Sequence, residues 1–123
     1  MGIKYLLDSV IVIDHLNGRR EATEYIGKMR HAAALSVVTR AEVLVPYDSK
    51  QTVQILRLLD AFPSLAIDAK VADRAAFLRR EHKWKLPDAF QAALAQEHEL
   101  KLVTRNTKDF APEKFKFVVV PYQ

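Results

Sequence analysis

The chain has 123 residues, half of them hydrophobic and 28% charged, which is enough for a single domain spanning residues 1–123. Cysteine is absent, which excludes disulfide bridges and thiolate metal sites. Nineteen Lys and Arg against fifteen Asp and Glu give a formal charge of +4, a surplus that slightly favours nucleic acid as a partner over a merely solvated basic surface.

The N-terminal segment does not have the pattern of a signal peptide. Asp8 and Asp14 interrupt the apolar run from Tyr5 to Leu16, and no small-residue cleavage site follows it. No apolar run approaches the roughly 20 residues that a membrane span needs. We therefore expect a soluble cytoplasmic protein that does not contact a membrane.

Short apolar segments alternate with longer amphipathic ones, and two prolines mark helix ends. This alternation predicts an α/β domain with a mainly parallel sheet, whose sites form beyond the carboxyl ends of the strands. In chain order, the predicted elements are a strand at Ile3–Leu7, helices at Val10–Leu16 and Glu21–Arg30, a strand at Ala33–Leu35, a helix from Ser36 or Thr39 to about Tyr47, a helix at Lys50–Phe62, a strand at Leu65–Ile67, helices at Val71–Trp84 and Pro87–His98, and strands at Leu102–Val103 and Lys116–Val120. Pro46 is expected to end or kink its helix early, and Pro63 stops the helix that begins at Lys50.

Acidic residues stand at several strand ends and first helical turns of this pattern. Each has a purely structural interpretation. Asp8 can cap a helix, and Glu42 completes a capping-box pattern that begins at Thr39. Asp88 suits the dipole of a helix that starts near it, and Asp109 lies in a polar turn.

Taken together, the same residues indicate a site for a cation. Carboxylates gathered at one sheet edge repel one another unless a cation binds or a proton is retained. Ligation by oxygen alone suits Mg²⁺ or Mn²⁺, whereas the four histidines are scattered without the spacing of a zinc site. Such a metal assists hydrolysis of phosphodiesters. Spacing alone does not show that the acids meet.

Four segments resemble motifs of the PIN-domain family, in particular its VapC-type toxins of toxin–antitoxin pairs. Tyr5–Ser9 resembles the opening strand with its aspartate, and Ser36–Leu44 resembles the segment that carries the family's glutamate. Leu86–Ala95 resembles the Asp-Ala-x-x-Ala-Ala helix, and Leu102–Phe110 is similar to the C-terminal strand with Thr-Arg-Asn-x-x-Asp-Phe. The motifs occur in the family's order and span nearly the whole chain.

The resemblance implies a three-layer α/β/α sandwich and an acidic pocket for Mg²⁺ or Mn²⁺. Some relatives have an aspartate at the position of Asn106, so either Asp109 or a water completes the pocket here. The implied catalytic and metal-binding residues are Asp8, Glu42, Asp88 and Asp109, supported by Ser9, Thr104 and Asn106.

The resemblance also implies an endoribonuclease that hydrolyses structured RNA such as tRNA. Its implied partners are a VapB-like antitoxin, which inserts an arginine among the carboxylates, and a second copy of the chain. The helix predicted at Lys50–Phe62 is apolar on nearly all sides, which is typical of a helix that meets a partner.

Basic residues near the motifs are candidates for RNA binding, with solvent-facing charge as the alternative. Arg40, Arg105 and Lys108 lie beside the acidic motifs and could hold phosphate. The segment from His82 to Lys85 could stack and hold RNA, but a core role for Trp84 is favoured. Asp14 is expected to face solvent or to cap a short helix.

Two other functions fit parts of the sequence. A PIN-like domain whose pocket is incomplete, through Asn106, could bind nucleic acid or regulate transcription without cutting. A signalling receiver would need a phosphoacceptor aspartate at the end of a central strand and a lysine at the end of a later strand, and neither placement is evident. With only three glycines, the chain has no phosphate-binding loop.

Overall fold

A central sheet of five parallel strands organises the fold. The structure is a computed structural model and describes residues 2–123. The strand order is β3-β2-β1-β4-β5, and every neighbouring pair is parallel. The strands are β1 (Tyr5–Leu7), β2 (Ala33–Ser36), β3 (Ser64–Leu65), β4 (Lys101–Val103) and β5 (Val118–Val119).

Helices connect the first four strands, and polar side chains cap most of the helix N-termini. Ser36 accepts a hydrogen bond from the backbone of Thr39 at the start of the third helix, and Asp48 and Gln51 form a capping box at the fourth. The helices are α1 (Ser9–Leu16), α2 (Arg20–Met29), α3 (Val37–Leu44), α4 (Ser49–Asp60), α5 (Ala69–His82) and α6 (Leu86–Glu97), with a 3₁₀ turn at Arg30–Ala32.

The two faces of the sheet bury different cores, because neighbouring strand residues point to opposite faces. Leu6 of β1 and Leu102 of β4 pack against α5 and α6. Leu7 and Val103, the next residues along the same strands, pack in a second core with side chains from α1 to α4. The predicted three-layer α/β/α sandwich is therefore confirmed.

Several predicted boundaries differ from the observed ones for local reasons. The last strand starts only at Val118, because the Val118 N–H is used in a turn to the Phe115 carbonyl. The strand predicted at 65–67 ends at Leu65, since Asp68 caps α5 and that helix begins at Ala69. Helix α3 ends at Leu44, two residues before Pro46, as the proline predicted.

No helix within residues 2–123 is both long enough and apolar enough to cross a membrane.

Candidate active site

The candidate site lies where the direction of the sheet's connections reverses. From β1 the chain builds outward through β2 to β3, and it then returns to add β4 on the other side of β1. In open parallel sheets, the carboxyl ends of the strands at such a reversal form a crevice. Asp8 follows β1 and Thr104 follows β4, and the Thr104 hydroxyl donates to Asp8 Oδ2 at 2.7 Å. Thr104 thus contacts Asp8 directly, while its supporting role stays a prediction.

The carboxylate of Asp8 is buried and rigidly held. Only 5% of the residue is exposed. Its Oδ1 accepts from the Ser9 backbone N–H at 2.9 Å and from Gln91 Nε2 at 3.1 Å. Ser9 thus contributes its backbone here. None of the salt bridges among residues 2–123 involves Asp8. Burial raises the pKa of the Asp8 carboxyl, and the hydrogen bonds from Thr104, Gln91 and Ser9 offset only part of this rise.

Gln91 is a site residue that the sequence analysis did not single out. Its side chain is 1% exposed and lies on α6, one helical turn after Asp88. Its Nε2 donates to Asp8 Oδ1 and also to Thr39 Oγ1 at 2.7 Å, while its Oε1 accepts from Ser36 Oγ at 2.6 Å. Gln91 therefore connects the Asp8 carboxylate to the end of β2 and the start of α3.

The negative charges of the other predicted acids and of Asp8 act on Asp88. The pKa of Asp88 is raised to about 6, first by burial and then by the negative charges of Asp8, Asp109 and Glu42. Lys85 offsets part of this repulsion. Negative charges raise the pKa of a carboxyl in this way only when they lie a short distance from it. The charges of Asp8, Asp109 and Glu42 therefore lie near enough to Asp88 to raise its pKa.

Glu42 does not cap its helix. The N-cap of α3 is Ser36, so Glu42 lies well inside the helix, and its capping-box interpretation is wrong. The residue is exposed. An apolar groove beside it is lined by Val37, Val38, Ala41, Leu86, Pro87 and Phe90.

The loop after β4 places Asn106 and Asp109 side by side. Asn106 Nδ2 donates to Asp109 Oδ2 at 3.1 Å, and the Asn106 backbone N–H donates to Thr104 Oγ1 at 3.0 Å. The Asn106 amide thus orients the Asp109 carboxylate. The negative charge of Asp109 in turn raises the pKa of Asp88. This arrangement favours Asp109 over Asn106 for the fourth position of the pocket.

The donor set fits a hard divalent cation. Asp8, Glu42, Asp88 and Asp109 offer only oxygen atoms, and two of the carboxyls have raised pKa values that a cation would lower. Within residues 2–123, no three acidic or histidine side chains are close enough together to ligate one ion directly. Mg²⁺ needs only one or two carboxylates besides its waters, so this spacing is compatible with it.

Comparison with known proteins assigns the family. A family model described as PIN domain matches residues 5–112. The chain belongs to the PIN domain family. The resemblance to VapC-type toxins of this family, read from four motifs, is confirmed.

Solved PIN-domain structures support the assignment. A chain of a toxin–antitoxin complex from Klebsiella pneumoniae is 41% identical, with a TM-score of 0.88 over 98% of this chain and 99% of that one. A chain of FitAcB from Neisseria gonorrhoeae is 25% identical, with a TM-score of 0.78 over 95% and 97%. For DNA-bound VapBC from Salmonella typhimurium, 18% identity and a TM-score of 0.75 over 88% and 90% show the shared fold alone. No curated protein gives a significant match.

Beside the acidic pocket of this PIN domain, Asp14 is buried, contrary to the prediction that it faces solvent or caps a helix. It lies inside α1 and is 8% exposed. Its oxygens accept from Arg105 Nε at 2.8 Å and Nη2 at 2.9 Å, and from the Tyr122 hydroxyl at 3.0 Å. The guanidinium of Arg105, predicted to hold phosphate, is thus used inside the protein, where it fixes the loop after β4 to α1.

Arg40 is also paired within the domain. Its Nη1 donates to Asp60 Oδ1 at 2.8 Å, an exposed bridge between α3 and α4. An exposed pair of this kind contributes little stability and opens readily. Of the three predicted RNA-binding residues, Lys108 forms none of the salt bridges among residues 2–123.

Asp14→Asn should destabilise the domain at neutral pH and not in acid. The Arg105 hydrogen bonds lower the pKa of Asp14, so the pair stabilises the fold above the unfolded pKa of about 3.9 and is lost as pH falls through the lower folded value. We expect a loss of about 1.5–3 kcal/mol at pH 7, the range for hydrogen bonds to charged groups. Urea unfolding at pH 7, 5 and 3 measures this, with exposed Asp73→Asn as control. A difference that stays constant with pH would contradict the assignment.

Proposed function

We propose that this PIN domain, as one domain over residues 1–123, is a Mg²⁺- or Mn²⁺-dependent endoribonuclease and the toxin of a VapBC-like pair. The observation that carries the proposal is the buried Asp8 carboxylate, which has hydrogen-bond donors but no salt-bridge partner within residues 2–123, and whose charge helps to raise the pKa of Asp88. Uncompensated charge of this kind destabilises a fold, so its presence at a sheet's carboxyl edge indicates a function.

The protein's own groups have distinct tasks in this proposal. Among Asp8, Glu42, Asp88 and Asp109, one or two carboxylates would hold the metal directly, together with waters, and the remaining acids would add negative charge near it. When bound, the metal supplies a nucleophilic water and offsets charge on the phosphate. Gln91 and Thr104 fix the orientation of Asp8 through their hydrogen bonds. With its pKa near 6, Asp88 loses its proton across the range around pH 6, so the affinity of the set for cations increases with pH there.

The proposed partners are a VapB-like antitoxin and a second copy of the chain, in the cytoplasm. Support comes from exposed apolar side chains. Val45 beyond α3 is 81% exposed and Val53 of α4 is 54% exposed, and only Leu59 of α4 is buried. Phe77 and Leu86, on α5 and α6, are 51% and 45% exposed. The toxin–antitoxin complex from Klebsiella pneumoniae contains a chain that is 41% identical to this one, which supports an antitoxin partner.

The test of the nuclease proposal is cleavage of total cellular RNA by purified, antitoxin-free protein. We expect discrete fragments, with tRNA or another structured RNA as the source, when Mg²⁺ or Mn²⁺ is present, and none in excess EDTA. Adding Mg²⁺ back after EDTA should restore the fragments. A folded protein that binds RNA but cuts nothing with either metal would instead support the non-catalytic binding module.

A further inference from the structure

A second pocket lies on the far side of the loop that carries Asp109. It encloses about 340 Å³ between the end of α5 and the loops that follow β4. Three exposed lysines line it, Lys83, Lys108 and Lys114, and we call it the lysine pocket. Two carboxylates, Glu81 and Asp109, line it as well.

The positive surface continues beyond this pocket. Lys83 also lines an adjoining depression together with Arg79 and Arg80. The three lysines form none of the salt bridges found within residues 2–123, so their ammonium groups are available to an external anion. Clustered free lysines create a local positive potential that attracts a polyanion.

The lysine pocket is joined to the acidic site through one loop. Trp84 Nε1 donates to the Asp109 backbone carbonyl at 3.1 Å, which fixes the loop against the end of α5. Trp84 is only 4% exposed and stacks on His82 with ring centroids 4.3 Å apart. The predicted core role of Trp84 is confirmed, so the pocket offers charge to a ligand rather than an open indole for base stacking.

The backbone conformation of Lys83 allows the role of its side chain to be tested separately from the fold. Lys83 ends α5 with φ 59° and ψ 27°, in the left-handed region, and its N–H donates to the Arg79 carbonyl. Glycine is the usual residue at this position of a helix, because a side chain there is strained. A glycine at position 83 would therefore relieve the backbone and remove the lysine side chain at the same time.

We propose that the lysine pocket binds backbone phosphate of the RNA whose scissile phosphate lies at the acidic site. This inference rests on the proposed nuclease function and adds a binding site to it. Lysine binds phosphate as a point charge, without reading the base, so the pocket would fix the position of the strand and leave sequence choice to other contacts. Because Asp109 lines both sites, a strand can pass from one to the other.

The test is the binding of fluorescein-labelled bulk tRNA, measured by anisotropy in EDTA so that no cleavage occurs. The variants are Lys83→Gly, Lys108→Gln and Lys114→Gln, singly and combined. Each lost phosphate contact should weaken binding by roughly fourfold near 0.15 M salt and reduce the slope of log K against log salt by about 0.7. The combined variant should therefore bind tens of times more weakly, by roughly the product of these factors.

Lys83→Gly separates the ligand role from a structural role. Glycine relieves the left-handed backbone, so its Tm should be equal to or higher than that of the wild type while RNA binding weakens. Glu99 has φ 56° and is exposed, so Glu99→Gly makes the same backbone change without removing a lysine. It should leave RNA binding intact. A lower Tm for Lys83→Gly, or weaker binding by Glu99→Gly, would overturn the interpretation.

Lys4→Gln controls for net charge. Lys4 is exposed and precedes β1, at the sheet edge opposite the site. If it weakens binding as much as the pocket variants do, or if the combined pocket variant binds like the wild type, the proposal is wrong. Tighter lysine-dependent binding to a DNA duplex would overturn the assignment to RNA. RNA binding that depends on the lysines, without any metal-dependent cleavage, would support RNA binding by the lysine pocket and contradict the proposed nuclease function.

Discussion

Asp8→Asn should lower the rate of RNA cleavage by at least about 10²-fold, because a bound metal contributes several kcal/mol of transition-state stabilisation and each 1.4 kcal/mol is tenfold in rate. Asparagine keeps the shape of the side chain and an acceptor for the Ser9 and Gln91 donors, but it removes the charge that would hold the cation. Cleavage is measured under initial-rate conditions in Mg²⁺.

The same substitution should not destabilise the metal-free protein. Because burial raises the folded pKa of Asp8, ionised Asp8 opposes folding above that pKa, and the neutral amide removes this penalty. We expect the Tm of Asp8→Asn at pH 7.5 without metal to equal or exceed that of the wild type. Mg²⁺ or Mn²⁺ should raise the Tm of the wild type and leave that of the variant almost unchanged.

Exposed Asp73→Asn is the matched control, and it should change neither cleavage nor the response to metal. If Asp8→Asn unfolds the protein, the buried carboxylate has a structural role. If the variant still cuts RNA at the wild-type rate, the active site lies elsewhere.

Gln91→Leu should cost about 3 kcal/mol of folding free energy. The leucine removes one donor to Asp8 and leaves the buried Ser36 and Thr39 hydroxyls without their amide partner, and each unsatisfied buried group costs about 1–3 kcal/mol. Ser36 Oγ keeps its contacts with Thr39, which limits the loss. Urea unfolding at pH 7 measures the effect, and the exposed Gln54→Leu on α4 is the control.

Gln91→Glu tests the electrostatic side of the same contact. It keeps the acceptor for Ser36 but places a second carboxyl against buried Asp8, which is tolerated only with a shared proton or a cation. We expect this variant to be less stable than the wild type at pH 7 and to recover stability at pH 5. Equal stability at both pH values would show that Gln91 and Asp8 do not interact as described.

The acids of the site could be predicted from the sequence because the fold gathers them by a general rule. Asp8 and Asp109 follow strands, and Asp88 lies in the first turn of α6, so a parallel sheet brings all three to one edge. The role of Glu42, as a helix cap or as a site residue, could not be decided from the sequence, because the sequence does not show whether the helix begins at Ser36 or at Thr39. The cap at Ser36 decides this.

The contacts that orient the site could not be predicted, because their partners are distant in sequence. Gln91 meets Ser36 across 55 positions, and Asp14 meets Arg105 across 91. A weak signal for Gln91 existed, since it is a polar residue in an otherwise apolar stretch and stands three positions after Asp88. Asp14 had no such signal, because a helix of only eight residues is too short for its sequence pattern to show which face is buried.

The residues of the site are far apart along the chain, and this affects when the site can form during translation. Asp8 depends on Gln91 and Thr104, which lie 83 and 96 positions later. A chain still being translated has neither the α6 amide nor the β4 hydroxyl to orient its first carboxylate until most of it has left the ribosome. In the proposed nuclease, the N-terminal half of the chain would therefore lack an oriented Asp8, and an antitoxin would be needed only once translation is nearly complete.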